Sequence, residues 1–203
     1  MIRKGIFITF EGIDGAGNTT QSSLLANWFE KNGFKVLLTK EPTVNEIGSL
    51  IRKKLKLPTV SHPAIDALLF AADRVEHVYG TIIPALNNGL IVISDRYKES
   101  SMAYQSAQGL SQKWINILNK YAIEPDLTII LDVEPEISLS RKPILTDRYE
   151  KKDFLEKVRK KLLERAIEKG YPVIYTGNSI EDSHNRIVNL VKLLLEQRGF
   201  RLA

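Results

Sequence analysis

Residues 10 to 20 read FEGIDGAGNTT. Gly12, Gly17 and Thr19 fall on the phosphate-binding loop pattern G-x-x-x-x-G-K-[ST], and Asn18 stands where that pattern asks for lysine. The stretch follows a short apolar run, Gly5 to Phe10 (GIFITF). It opens a helical run, Thr19 to Lys31, in which Leu24, Leu25, Trp28 and Phe29 share one side before Asn32-Gly33 ends it. In that strand–loop–helix setting the glycines let backbone N–H groups turn inward around an anion, and the positive end of the helix faces it. Gly12, Ile13, Asp14, Gly15, Ala16, Gly17, Asn18, Thr19 and Thr20 are therefore the candidate cradle for nucleotide phosphates. The Thr19 hydroxyl is placed for a magnesium ion. A P-loop lysine adds a mobile charge on the outer phosphates; the cradle itself does not need it.

Similar apolar runs recur at Lys35 to Thr39 (KVLLT), Leu90 to Ser94 (LIVIS), Leu127 to Val133 (LTIILDV) and Pro172 to Thr176 (PVIYT). Continuous runs of this length suit strands buried on both faces of a parallel sheet. Helical patterns separate them: Glu46 to Leu55, Pro63 to Asn88, Ser111 to Tyr121, Lys151 to Lys169 and Glu181 to Gln197, with Gly170 and Gly199 as C-caps. Strand–helix alternation predicts a three-layer α/β domain spanning 1–203. Arg141 to Arg148 (RKPILTDR), basic and broken by proline, reads as a mobile insert.

The 203 residues, 43% apolar and 26% charged, describe an ordinary globular chain long enough to bury a core. With no cysteine, disulfides and thiolate catalysis are excluded. No apolar run reaches the roughly 18 residues of a spanning helix, and Met1 to Phe10 is too short and β-like for a signal peptide. These features predict a soluble, cytoplasmic protein with no membrane partner. The net charge of +5 is spread among acidic residues, as in Glu150 to Lys161, which reads as a solvated helix face rather than a nucleic-acid surface. His62, His77 and His184 show no metal spacing and read as surface or helix-face residues; Trp28 and Trp114 read as packing.

Residues 94 to 105 read SDRYKESSMAYQ, with Asp95 and Arg96 at the carboxyl end of the third strand, where open α/β sheets bind ligands. Asp95 suits a magnesium ion through water and Arg96 a phosphate, although a purely structural Asp–Arg pair fits the same residues. In FAADR, Phe70 and Arg74 are four apart and share a helix face. A ring and a bidentate donor could take a flat base; a core Phe70 with a solvated Arg74 fits as well.

FEGIDGAG with TTQ, then TKEPT, FAADR, SDRYKESSMAYQ, LDVEPE and DRYE, in this order and spacing, resembles the thymidylate kinase family along essentially the whole chain. The resemblance implies a three-layer P-loop kinase fold, a five-stranded parallel sheet with helices on both faces. It implies transfer of the γ-phosphoryl of ATP to thymidine 5′-monophosphate (dTMP) with magnesium, and a homodimer paired through helices, with Ala64 to Ala72 as a candidate interface. By the same resemblance Phe70 stacks on thymine and Arg74 binds its edge. Asp14 meets the acceptor region or magnesium, Asp95 serves the metal, and Arg96 serves both phosphates. Ser101, Tyr104 and Gln105 line base and sugar, Tyr104 rejecting a 2′-hydroxyl. Lys40, Glu41 and Pro42 approach the acceptor phosphate, Tyr149 lies near the substrate, and Thr176 to Ser179 border the adenine. A lid at about 138–150 closes over ATP. Ala16, where one family design has arginine, points to the design in which lid cations, here Arg141, Lys142 and Arg148, do the catalytic work.

Asn18 departs from the family. Loss of a charge acting on the transition state alone costs roughly 100- to 1000-fold in kcat. Lid cations compensate for it, or the chain is a slow or inactive nucleotide-binding relative, or the residue was introduced to trap a complex. A deoxynucleoside kinase is a further rival, disfavoured because Lys40 and Arg96 suit an acceptor that already bears phosphate.

Overall fold

The computed structural model describes residues 4–59, 62–142 and 147–200. In chain order the elements are β1 (Ile6–Gly12), α1 (Asn18–Lys31), β2 (Val36–Lys40), α2 (Glu46–Leu55), α3 (Pro63–His77), a π turn (Val78–Ile82), α4 (Ile83–Asn87), β3 (Ile91–Asp95), α5 (Lys98–Ala107), α6 (Gln112–Leu118), β4 (Leu127–Asp132), α7 (Pro135–Ser140), α8 (Lys152–Lys169), β5 (Val173–Tyr175) and α9 (Ile180–Gln197). The five strands form one parallel sheet in the order β2-β3-β1-β4-β5. Strand direction reverses nowhere, so all carboxyl ends open on one edge, with β1 between β3 and β4. This is the five-stranded parallel α/β arrangement the alternation predicts.

The central strand explains the sheet's stability. Every residue of β1 is buried. Ile6, Ile8 and Phe10 join Leu25 and Phe29 of α1 and Ile187 and Val191 of α9 in one core. Phe7, pointing the other way, packs with Val78, Ile82, Leu86 and Val92. The period-2 alternation of a strand thus feeds both faces from one segment. KVLLT does not follow that rule: β2 is an edge strand, and Leu38 is 42% exposed.

Two helical expectations need correcting. The pattern from Pro63 to Asn88 predicts one helix, whereas α3 widens into the π turn before α4 begins. Pro84 supplies the reason: its ring crowds the carbonyl four residues back and it donates no hydrogen bond, and a wider turn before it relieves both. The pattern also leaves α5 and α7 unannounced. In α5 the buried side includes Lys98, Glu99, Ser101 and Gln105, so no apolar period betrays it.

That polar burial is supported from α8. Arg165 grips Glu99 through Nε and Nη2 at 2.7 and 3.0 Å, both side chains almost fully buried, and the Tyr171 hydroxyl donates to the same carboxylate. Removing one partner of such a pair leaves an uncompensated buried charge. Arg165→Met is expected to cost about 3–5 kcal/mol. Arg165→Met with Glu99→Leu should recover most of it. Urea denaturation of the three proteins measures this, and equal stability of single and double variants would refute it.

Candidate active site

The loop between β1 and α1 is built on two left-handed glycines, Gly15 at φ 80° and Gly17 at φ 98°. Their surroundings differ. A Cβ at Gly15 would lie 2.4 Å from the Ser138 carbonyl oxygen, whereas one at Gly17 would meet nothing within 4 Å. The loop is packed underneath and open above. The amides of Gly15, Gly17, Thr19 and Thr20 find no acceptor among the described residues, at the start of a 14-residue helix. Open space, free N–H groups and a helix N-terminus fit a polyphosphate. Thr176 Oγ1 donates to the Ala16 carbonyl at 2.8 Å, and Arg141 donates to the carbonyls of Gly15 and Thr176, so the loop is braced from behind. Ile13 and Ala16 are buried in the core beneath.

β3 delivers Asp95 and Arg96 beside this loop. Thr19 Oγ1 donates to Asp95 Oδ2 at 2.5 Å, which brings the two predicted magnesium ligands into contact. A hydroxyl and a carboxylate are hard oxygen donors of the kind magnesium takes alongside phosphate and water. Arg96 is the only non-glycine among the described residues with positive φ, 72°, in a conformation that costs on the order of 1–3 kcal/mol. It is held there on several sides. Its N–H donates to Phe10 O at 2.8 Å, and its guanidinium to Gly12 O at 2.7 Å, Asp14 Oδ1 at 2.9 Å and Ser100 Oγ at 3.2 Å, with the Tyr104 ring 5.4 Å away. Burial opposes its charge, but Tyr104, Asp14, Asp95 and Glu11 more than offset this and hold its pKa above the ordinary arginine value. Asp14 is a hub: besides Arg96 it receives the Tyr104 hydroxyl at 3.1 Å, and its own N–H donates back to that oxygen.

Glu11, within the quoted motif but absent from the predicted site, orients this corner. It is fully buried and accepts from Glu99 N, Ser100 N and Ser100 Oγ, capping α5. Ser100 in turn touches Arg96. Burial pushes the Glu11 carboxyl up to about 7, against the pull of Ser100.

Two cavities open along the carboxyl edge. One, about 620 Å³, is lined by Asp14 to Gln21 together with Arg141, Thr176 and Ile180. The other, about 500 Å³, is lined by Lys40, Phe70, Arg74, Ser101, Tyr104, Gln105 and Tyr149, among others. Asp14, Asp95, Arg96 and Lys142 line both. Phe70 is half-buried on the wall, not a core residue, and Gln105 offers a buried Oε1 without a donor. Arg74 is not solvated but 2% exposed. It is held by Glu41 at 2.8 Å, by the Tyr97 carbonyl at 2.9 Å and by Asn119.

Several expectations change. Arg148 lines neither cavity; it is bound to Asp66 and to the Lys54 carbonyl, where it braces α2 and α3 instead of facing phosphate. Residues 143–146 of the predicted lid lie outside the described residues. His77 is not a surface residue: it is 2% exposed between Thr39 Oγ1 (2.7 Å) and Glu41 Oε1 (3.1 Å) and supports the carboxylate that holds Arg74. Its position three residues after Arg74 on one helix is the signal that pairs them.

The sequence matches the family model described as Thymidylate kinase over residues 10–187. It is 46% identical to the probable thymidylate kinase of Thermococcus gammatolerans, covering 93% of this chain and 96% of that one. It is 47% identical to that of Pyrococcus horikoshii (93% and 97% covered) and 43% identical to that of Methanocaldococcus jannaschii (92% and 96%).

Glu11 gives this corner a pH signature. Its folded pKa is raised above the ordinary 4.5, so burying the ionised form destabilises the fold above about 7 and the penalty disappears as pH falls towards 4.5. The native chain should therefore gain melting temperature relative to Glu11→Gln across that window. Parallel melting curves would show that Glu11 does not titrate there.

Proposed function

The chain belongs to the thymidylate kinase family, and on that footing we propose that it transfers the γ-phosphoryl group of ATP to dTMP, giving the diphosphate and ADP. The observation that carries this reading is the pair of cavities meeting at Asp14, Asp95, Arg96 and Lys142. One has the glycine loop of a polyphosphate site. The other has an aromatic wall, a buried arginine and a buried amide, the equipment for a pyrimidine. In the reaction an oxygen of the acceptor phosphate attacks the γ-phosphorus and the bond to the β-phosphate oxygen breaks. Such a step needs alignment and charge on the phosphoryl oxygens rather than covalent chemistry.

The residues divide accordingly. The cradle from Gly12 to Thr20 holds the phosphates of ATP. Thr19 and Asp95 would hold magnesium, which supplies charge neutralisation on those oxygens. Arg96, kept rigid by Asp14 and Ser100, bridges donor and acceptor. Lys40 faces the acceptor phosphate. Phe70 stacks on the base, Arg74 and Gln105 bind its edge, and Ser101 and Tyr149 complete the walls. Tyr104, fixed by Asp14, crowds the 2′ position. The segment at about 138–150 acts as the lid of a single domain, excluding the water that would otherwise accept the phosphoryl group. Arg141 acts there from its place on the cradle.

The assembly we propose is a homodimer. Leu68 on α3 and Tyr79 on the π turn are both about half exposed, and Ile117 of neighbouring α6 is 54% exposed. Exposed apolar side chains on adjacent helices suit a second copy. Among the described residues no helix is long and apolar enough to cross a membrane, and we place the enzyme in the cytoplasm.

The chain incubated with MgATP and each of dTMP, dUMP, dCMP and thymidine should form dTDP fastest. Phosphorylation of thymidine alone would instead indicate a deoxynucleoside kinase. Calorimetric binding without turnover of any pyrimidine deoxynucleotide would defeat the reading. Sedimentation should give twice the 23.0 kDa chain mass, falling to the monomer in Leu68→Glu with Tyr79→Glu. A native monomer would contradict the dimer.

A further inference from the structure

We infer that Lys142 supplies the positive charge that a phosphate-binding loop ordinarily carries at the position of Asn18. The inference rests on the kinase reading above and concerns the lysine of the loop pattern, a different position from Ala16. Asn18 is the first residue of α1 and is 5% exposed. Its Oδ1 is fully buried, makes no hydrogen bond, and lies 2.8 Å from where a Cβ on Gly12 would sit. The amide oxygen is therefore turned into the floor of the loop. A short neutral side chain in that pose places no charge on the outer phosphates.

The transferring group must cross the boundary between the cavities, where, among the described residues, the cationic side chains lining both are Arg96 and Lys142. Arg96 is occupied with Gly12 O, Asp14 and Ser100, which fix it as a rigid wall. Lys142 is differently held. Its ammonium is paired with Glu150 and lies 3.8 Å from Asp14 Oδ1, and its side chain is 30% exposed. It sits on the boundary with a flexible stem and three donors, the properties a P-loop lysine brings. Its base is anchored too. Arg141, the preceding residue, donates to Gly15 O and Thr176 O, and Lys142 N donates to Leu139 O at 3.1 Å. The end of α7 is thus pinned to the cradle, and an ammonium enters the cavity from a different part of the chain. Stabilisation of developing charge depends on where a cation is, not on its place in the sequence. Lys40 lines the acceptor cavity and a further one beside Thr19 and Asp95 but not the donor cavity, and Arg148 lines neither of the two that meet.

If one ammonium replaces the other, the two positions are coupled. In the native background Lys142→Met should lower kcat with dTMP roughly 100- to 1000-fold, with a much smaller change in KM for dTMP. In the Asn18→Lys background the same substitution should cost less than about 10-fold, because residues acting on one group are not additive. Lys142→Arg should retain most activity in either background. MgATP affinity measured by calorimetry on the same proteins gives a second readout, with the loss on Lys142→Met larger in the Asn18 chain than in the Asn18→Lys chain. Equal losses in both backgrounds, or none in the native chain, overturn the inference. Absence of dTMP turnover by the native chain would count against the kinase reading, while the affinity comparison still decides on Lys142.

Discussion

Arg96 ties the site together. It takes a left-handed backbone that an arginine seldom adopts, and its side chain then reaches back across β1 to Gly12 O while meeting Asp14 and Ser100. One residue thereby joins the end of β3, the start of the glycine loop and the first turn of α5. Glu11 secures the far side by capping α5, and Arg165 secures α5 against α8 through Glu99. The strain at one residue persists because these partners overdetermine it. The result is a guanidinium that needs no reorganisation when a phosphate arrives, which is the form in which charge is most effective.

The distribution of charge follows the same economy of motion. On the acceptor side Arg74 is surrounded by Glu41, Asn119 and the Tyr97 carbonyl, with His77 and Thr39 behind Glu41. In the role proposed for it, such a fixed donor would favour a base with an acceptor at its edge, because rejection comes from leaving a buried polar group unpaired. On the donor side the cradle offers backbone amides and open space, with Thr19, Asp95, Arg141 and Lys142 around it. In the proposed reading rigid groups recognise both nucleotides, and the Lys142 ammonium, paired with Glu150, lies between them.

Much of this was legible in the sequence where the information is local. The glycine loop, its position after β1 and the Asp95–Arg96 pair at the end of β3 follow from backbone geometry and strand pattern, and the structure has them in those places. The fold class was legible because apolar runs of strand length alternate with helical periods. What was not legible depends on distance in space. Arg148 shares a basic stretch with Arg141 and Lys142, yet α2 and α3 capture it through Asp66 and the Lys54 carbonyl. His77 looks like one of three scattered histidines until α3 brings it beneath Glu41. Helix α5 hides because its inward face carries polar groups such as Glu99, whose partner Arg165 lies 66 residues away. The edge position of β2 is set by topology, which strand composition does not encode.

The arrangement of two cavities meeting at Arg96 can be tested with a single molecule that joins adenosine and thymidine through a chain of five phosphates. If the glycine loop and the Phe70–Arg74 wall receive the two ends at once, that molecule competes with both ATP and dTMP, and Arg96→Ala weakens its binding far more than it weakens either substrate alone. Competition against only one of the two substrates would contradict the arrangement.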